Sequence, residues 1–426
     1  MALTKIGENN FYDDSKFGDL PRDIIESKNS GYFIVFEEYE YYKIISATFN
    51  FFGKKAICIY DYLDASPARI LNDDEALFFQ DIKVAYTRLS EDQIKQVKCE
   101  KRSFGVTRDG SLIHIAKTES YKSLAKSTLP KSTKGALKGK DEQIDPYWAT
   151  CYVNLSENYE FSGKGINVAI LDTGLQTTHE HFKQRQNIEY QSFVNETVDD
   201  AEGHGTFCAG LLAGGFDQGN KRIGVAYNAN LYVGKVKHRD NGDTVNLIKG
   251  IFWALRNKCR IISISQEEGD DGLLEIYRRA ISFAKFKGAL CFVPAGNGSN
   301  RPGDENKISV PGRCPEAITI SAIDKNYVVY ARANRACQDQ KIDYVAPGVN
   351  VYSTLMYNSY KTNIYGYDSG TSMAVPLVAG LATLLCEKYP KAAPQQIIEE
   401  LDCLAIKKND NWIPKDYGRG IPIFKN

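Results

Sequence analysis

None of the ten cysteines forms a Cys-x-x-Cys pair, so neither a zinc site of that kind nor a thiol redox motif is indicated. A dense disulfide framework is not expected in a chain of 426 residues. Charge of one sign is missing as well: 53 basic residues balance 53 acidic ones. That balance argues against an extended nucleic-acid or anionic-membrane surface as the protein's main business. There is no run of about 18 uncharged apolar residues, the length needed to cross a bilayer. The first residues, MALTKIGENNFYDD, carry no apolar stretch after Lys5, so no secretory signal is read in the chain. A cytoplasmic location is then the default, with a secreted or vacuolar one left open.

What is present is globular in character, with 43% apolar and 25% charged residues. The length suits two or three domains, each able to bury a core. Cys58 in KKAICIY and Cys291 in ALCFV sit inside apolar runs and read as buried free thiols. Residues 1–30 are polar and form a lead-in. Residues 31–115 hold the strand-like runs YFIVF, KKAICIY and VAYTRL. After the last of these, Ser90 and Gln93 have capping-box spacing and open a short helix. Strands and a helix in so short a stretch make a small α+β unit. Residues 116–147 are rich in Ser, Thr, Lys and Gly and read as an exposed linker of the kind proteases cut.

From residue 148 to 426 the pattern is α/β. NVAILD, LYVGKV, RIISIS, ALCFVPAG and AITISA are strand candidates buried on both faces. Between the third and fourth, Leu274, Tyr277, Ile281 and Ala284 fall at helical spacing before a stop at Gly288. The alternation predicts a doubly wound parallel sheet flanked by helices, preceded by the small α+β unit.

In such sheets, chemistry gathers beyond the carboxyl ends of the strands. Asp172 ends NVAILD and is followed by Thr173 and Gly174; by itself it reads equally well as a turn or cap residue. His204 stands between Gly203 and Gly205 ahead of a small-residue segment, and a lone histidine there is more often structural. Ser372 opens GTSMAVPLVAGLATLL, an apolar helix carrying Pro376, expected in its first turn. The first-turn N–H groups of a helix and the positive end of its dipole suit a developing oxyanion. Taken alone, the serine would be a helix cap.

Together, DTG at Asp172, GHGTFCAG at His204, PAGN at Asn297 and GTSMAVP at Ser372 resemble the signature segments of the subtilase family. The likeness covers roughly residues 148–426, and the GHGTFCAG form is similar to that of the proteinase K branch. The order Asp, His, Ser along the chain is subtilisin's own. The resemblance implies a serine endopeptidase. In it Ser372 attacks the scissile carbonyl, His204 takes and returns the proton, and Asp172 orients the imidazole. Asn297 donates its amide to the oxyanion, a contact worth about 10²–10³ in turnover in subtilisin, the source of that figure. Cys208 would lie near His204 as a free thiol. No cofactor is needed for this chemistry, and the expected partners are protein or peptide substrates, with no nucleic acid and a monomeric chain.

The chain departs from the family in places. Phe207 and Leu377 stand where histidine is usual, and Val375 where Ser or Thr is. After RIISIS, where the family commonly has a Ser-Leu-Gly-Gly wall of the specificity pocket, this chain reads Ser265, Gln266, Glu267, Glu268, Gly269, Asp270, Asp271. Ser265, Glu267, Glu268 and Asp270 are therefore candidate substrate-binding residues, and the acids favour a basic residue before the cut. Solvated loop acids are the plainer account. Structural calcium is a further expectation of the family, with Asp199, Asp200 and Asp217 available but without ligand spacing that names a site. Residues 31–115 resemble the inhibitor-type propeptide of many subtilases, which packs on the catalytic unit and inhibits it until the linker is cut. The competing functions are a peptide ligase or macrocyclase of the same fold and a degenerate, non-catalytic binding module.

Overall fold

The β-branched runs become the strands of two sheets. The computed structural model describes residues 30–35, 54–65, 71–90, 92, 114–117, 145, 147–152 and 160–424, the last range without 195, 239–240, 243, 268–272, 358–362 and 409–411. The small sheet comprises β1 (Ser30–Val35), β2 (Lys55–Cys58), β3 (Glu75–Phe79), β4 (Val84–Leu89) and β5 (His114–Lys117). Its order is β2-β3-β4-β1-β5, with β1 antiparallel to β4 and β5 and only β2 and β3 parallel. Helix α1 (Ile59–Ala65) begins inside the KKAICIY run, so Ile59 turns away from the strand, and Cys58 is half-buried. β5 continues to Lys117, two residues into the stretch expected to be linker. The lead-in before Ser30, most of the helix from Ser90 and residues 118–144 lie outside the described residues.

The large sheet holds β6 (Asn167–Asp172), β7 (Ile188–Ser192), β8 (Asn230–Lys235), β9 (Ile261–Ile264), β10 (Leu290–Pro294), β11 (Ile318–Ile323) and β12 (Tyr344–Pro347). All pairs are parallel, in the order β12-β11-β10-β9-β6-β8-β7. The register sets Leu171 beside Ile264 and Asp172 beside Lys235.

Further helices among the described residues include, in chain order, α2 (Trp148–Tyr152), α3 (His204–Ala213), α4 (Thr244–Arg256), α5 (Leu274–Phe286), α6 (Thr371–Lys388) and α7 (Pro394–Leu404). The two-residue period of the strands sends their side chains to opposite cores. Val168, Ile170, Leu290 and Phe292 join α3, α6 and α7 on one face. Ala169, Leu171, Cys291 and Val293 join α4 and α5 on the other. The expected doubly wound α/β fold is thus the observed one. α5 stops as its sequence predicts, with Gly288 at φ +95° just beyond its end.

The small sheet shares the second core. Phe79 and Tyr60 pack on Phe252 of α4 with ring centroids 5.5 and 6.1 Å apart. The Lys249 ammonium lies 4.7 Å over the Tyr62 ring, and Arg279 of α5 donates to the Ile82 carbonyl at 3.2 Å.

Helix α6 is the one described helix long and apolar enough to cross a bilayer, and 83% of it is buried inside the protein. It packs on α3 and on strands β9–β12. A two-stranded ribbon, β13 (Val351–Thr354) with β14 (Tyr365–Asp368), leads into it. All nine described cysteines are free thiols, five of them buried.

Candidate active site

Strand order places the crevice. The chain leaves β6 toward β7 at one edge of the sheet, and it leaves β9 toward β10 on the other side. β6 and β9 are neighbours, so between their carboxyl ends the connections diverge and leave a cleft. Asp172 closes β6, Ser265 follows β9, and Asn297 lies three residues beyond β10.

Asp172 is buried, and its Oδ1 accepts from the Thr173 N–H at 2.7 Å and from His204 Nδ1 at 2.8 Å. The proton is thereby held on Nδ1, leaving Nε2 as the basic nitrogen. Oδ2 is buried without a partner among the described residues.

His204 is the first residue of α3, and its side chain is 18% exposed. Two glycines set it there. Gly203 takes φ +98°, and a Cβ on Gly205 would stand 2.2 Å from the Gly174 carbonyl, so only glycine lets the two loops close on each other. Asp200 clasps the same loops, accepting from Thr173 Oγ1 at 2.9 Å, Gly203 N at 2.8 Å, and Thr206 N and Oγ1 at 2.8 and 2.7 Å.

Burial alone would push the Asp172 pKa up; the positive charges of His204 and Lys237 and the hydrogen bonds it accepts hold it below the usual carboxylate value. Burial works against the His204 imidazolium too, but the Asp172 carboxylate reverses this and raises its pKa well above an ordinary histidine. Lys237, whose Nζ lies 3.9 Å from Asp172 Oδ1, opposes that rise. Beside them, burial raises the Glu202 carboxyl to about 7, with Lys237 pulling the other way.

Ser372 is the second residue of α6, where first-turn N–H groups lack intrahelical acceptors. Pro376 is the sixth residue of that helix, not in its first turn. It has no N–H to give the carbonyl four residues back, which is that of Ser372. The freed carbonyl is taken by Ser265 Oγ at 2.9 Å and by the Cys208 thiol at 3.7 Å. Cys208 also lies 3.9 Å from His204 Nδ1, so one buried side chain touches both the histidine and the serine backbone.

Asn297 is fixed from both sides. Its Oδ1 accepts from the Thr371 N–H at 2.9 Å and from Thr371 Oγ1 at 3.2 Å, which ties it to the start of α6. Its backbone N–H and its Nδ2 donate to Glu267, at 2.9 and 3.3 Å. Asp172 and His204 are paired directly, Cys208 links His204 to the Ser372 backbone, Ser265 holds the Ser372 carbonyl, and Glu267 and Asn297 are tied to each other and to Thr371, whereas Glu268 and Asp270 lie outside the described residues.

The acids considered for calcium do not converge. Asp199 accepts from Thr177, Asp200 serves the loop clasp, and Asp217 accepts from Tyr147 and from the Gly219 and Lys221 N–H groups. Among the described residues, Asp172, His204 and Cys208 are the one set of three ligand-type side chains that meet. Asp199, Asp200 and Asp217 do not fit a shared calcium site.

A model of the subtilase family matches residues 163–420. The chain belongs to the subtilase family. It is 32% identical over 262 residues to subtilisin DY of Bacillus licheniformis, covering 61% of this chain and 90% of that one. It is 34% identical over 269 residues to the alkaline protease of Alkalihalobacillus alcalophilus, covering 62% and 65%. Among solved structures, the S41 psychrophilic protease superposes with a TM-score of 0.55 at 27% identity, covering 66% and 98% of the two chains. Sphericase gives 0.55 and 27% with 65% and 98% coverage.

This subtilase is a serine endopeptidase. Its family match begins after the small N-terminal sheet. The apolar residues at its unusual positions have a packing reason: Phe207, Val375 and Leu377 are all buried in the core that α3 and α6 share. Sequence reasoning passed over Lys237, which carries no motif of its own. It also weighed Asp200 for metal, although an Asp four residues before the GHG histidine is well placed to cap that turn.

Proposed function

We propose that this subtilase cuts peptide bonds with Ser372 as nucleophile, His204 as general base and acid, and Asp172 as the residue that orients and charges the imidazole. The observation that carries the reading is the 2.8 Å bond from His204 Nδ1 to buried Asp172. It leaves Nε2 to take the serine proton, and it sits at the cleft where α6 begins. The imidazolium formed in the transition state faces a carboxylate kept ionised by its own partners. Asn297, tied to Thr371, supplies an amide beside the α6 N-terminus for the oxyanion.

We further infer that residues 31–115 act as an inhibitory leader, removed by the enzyme's own cut in 116–147. Support comes from the small sheet's shared core with α4 and α5, where Phe79 meets Phe252 and Arg279 meets Ile82. A fluorophosphonate probe tests the core of this reading. The expected result is one covalent adduct, located by peptide mapping on Ser372; an adduct elsewhere, or none on a folded and processed chain, overturns it.

The pH profile gives a second test. His204 must be neutral to accept a proton, and its pKa is raised, so kcat/KM falls as pH drops through a midpoint above 6.5, the usual histidine value. Lys237 disfavours the imidazolium. Lys237→Met is therefore expected to move that midpoint upward in a pH–rate series, and a downward move would contradict the charge assignment.

A further inference from the structure

The Glu267 carboxylate occupies an unusual place for an uncompensated negative charge. Its Oε2 accepts from the Asn297 N–H at 2.9 Å and from Ser309 Oγ at 3.1 Å, and its Oε1 from Asn297 Nδ2 at 3.3 Å. A Cβ on Gly296 would stand 2.5 Å from Oε2, so the carboxylate lies directly on the Gly296 peptide, between the ends of β9 and β10. Among the described residues it has no cationic partner. Two residues earlier, Ser265 holds the Ser372 carbonyl. The acid therefore sits on the amide assigned to the oxyanion, and that asparagine in turn holds Thr371, the residue before Ser372.

We propose that Glu267 selects Lys or Arg as the residue before the cut, and that the substrate's cation releases the Asn297 amide for catalysis. This rests on the reading of Ser372 as nucleophile and Asn297 as oxyanion donor. A peptide whose carbonyl is at Ser372 brings its own adjoining side chain to this corner. The 3.3 Å bond from Nδ2 is longer than a normal N–H···O bond and easily exchanged. An ammonium or guanidinium replaces it with a charge-assisted bond, and Nδ2 turns to the developing oxyanion. A leucine or phenylalanine there would instead seal the carboxylate from water without a cation, which is unfavourable, and would leave Nδ2 engaged.

The test is a set of matched peptides with Arg, Lys, Leu or Phe before the cut, assayed with the processed wild type, Glu267→Gln and Glu267→Gly. Removing one partner of a desolvated charge pair typically lowers the favoured reaction by about 30-fold to several thousand-fold. Wild type is expected to favour Arg and Lys over Leu, mainly in kcat. Both variants are expected to lose on the order of 10²-fold with Arg and Lys while gaining with Leu. The glycine variant removes the acid without leaving a side chain to satisfy, so it serves if the glutamine variant does not fold. A wild-type preference for Leu or Phe overturns the proposal, as does an equal change toward basic and apolar peptides. A small fluorophosphonate without a peptide side chain should label Ser372 in all three proteins, and faster in Glu267→Gly, where the Asn297 Nδ2 is no longer held by the acid. Failure of that labelling would indict the nucleophile assignment itself and not the selection by Glu267.

Discussion

Ser372→Ala is expected to lower kcat by about 10⁶-fold, the loss seen on removing the nucleophile of subtilisin, the family member from which the figure comes. The neighbouring Thr371 hydroxyl is engaged by Asn297 Oδ1, which leaves the Ser372 hydroxyl to form the acyl bond, while the contacts that organise the site do not need it. Ser265 and Cys208 hold the residue's carbonyl, and Asn297 holds Thr371 through the backbone and the threonine hydroxyl. The variant should therefore fold like the parent. Followed by intact mass, the wild type is expected to shorten between residues 116 and 147, while the variant stays whole and leaves peptides uncut. Wild type added in trace amounts would separate a missing cut from an inactive enzyme: the variant should then be trimmed and remain inert. A variant that retains more than a tenth of wild-type turnover would remove Ser372 from the mechanism.

Asp172→Asn is expected to be the second largest loss, about 10⁴-fold in kcat, as for the equivalent change in other serine proteases. The amide keeps the shape of the site but not its charge. Burial opposes the charges of both Asp172 and His204, and their mutual attraction is what holds the imidazolium pKa above its ordinary value. Without the carboxylate, burial, the largest influence on His204, and Lys237 both disfavour the protonated ring, against Cys208 alone. The acid limb of kcat/KM must then move to lower pH even as the rate collapses. A pH–rate series on the variant reads both effects at once. An unmoved or raised midpoint would mean that Asp172 is not the source of the His204 shift.

The two predictions draw on different layers of the chain. Strands β6, β9, β10 and β11 were legible because each is a short β-branched run buried on both faces, where even the polar Ser263, Thr319 and Ser321 are out of water. α5 was legible from its apolar spacing and its terminal glycine. β7, IEYQS, escaped notice because it is an edge strand whose polar residues need not be buried. The β13–β14 ribbon escaped because nothing local marks its pairing across a loop of that length. Pro376 was visible, but its effect was misjudged: its place in the second turn of α6 matters through the Ser372 carbonyl it releases, a consequence that appears only once Ser265 is known to lie opposite.

Four local motifs, each a glycine-bearing turn at the end of a strand or the start of a helix, single out Asp172, His204, Asn297 and Ser372 as candidates, because close backbone approach restricts residue choice within a few positions. Which groups meet across the cleft was a matter for the parallel sheet. The strand order brings β6, β9 and β10 together from separate segments of the chain, and it lets Asp200, which caps the His204 turn locally, also reach Thr173 at the end of β6. It also sets Lys237 beside Asp172 and lays Glu267 on the Asn297 amide. Such contacts depend on the crossovers and on what each buried charge can find within a few ångströms, and no window of sequence contains both partners.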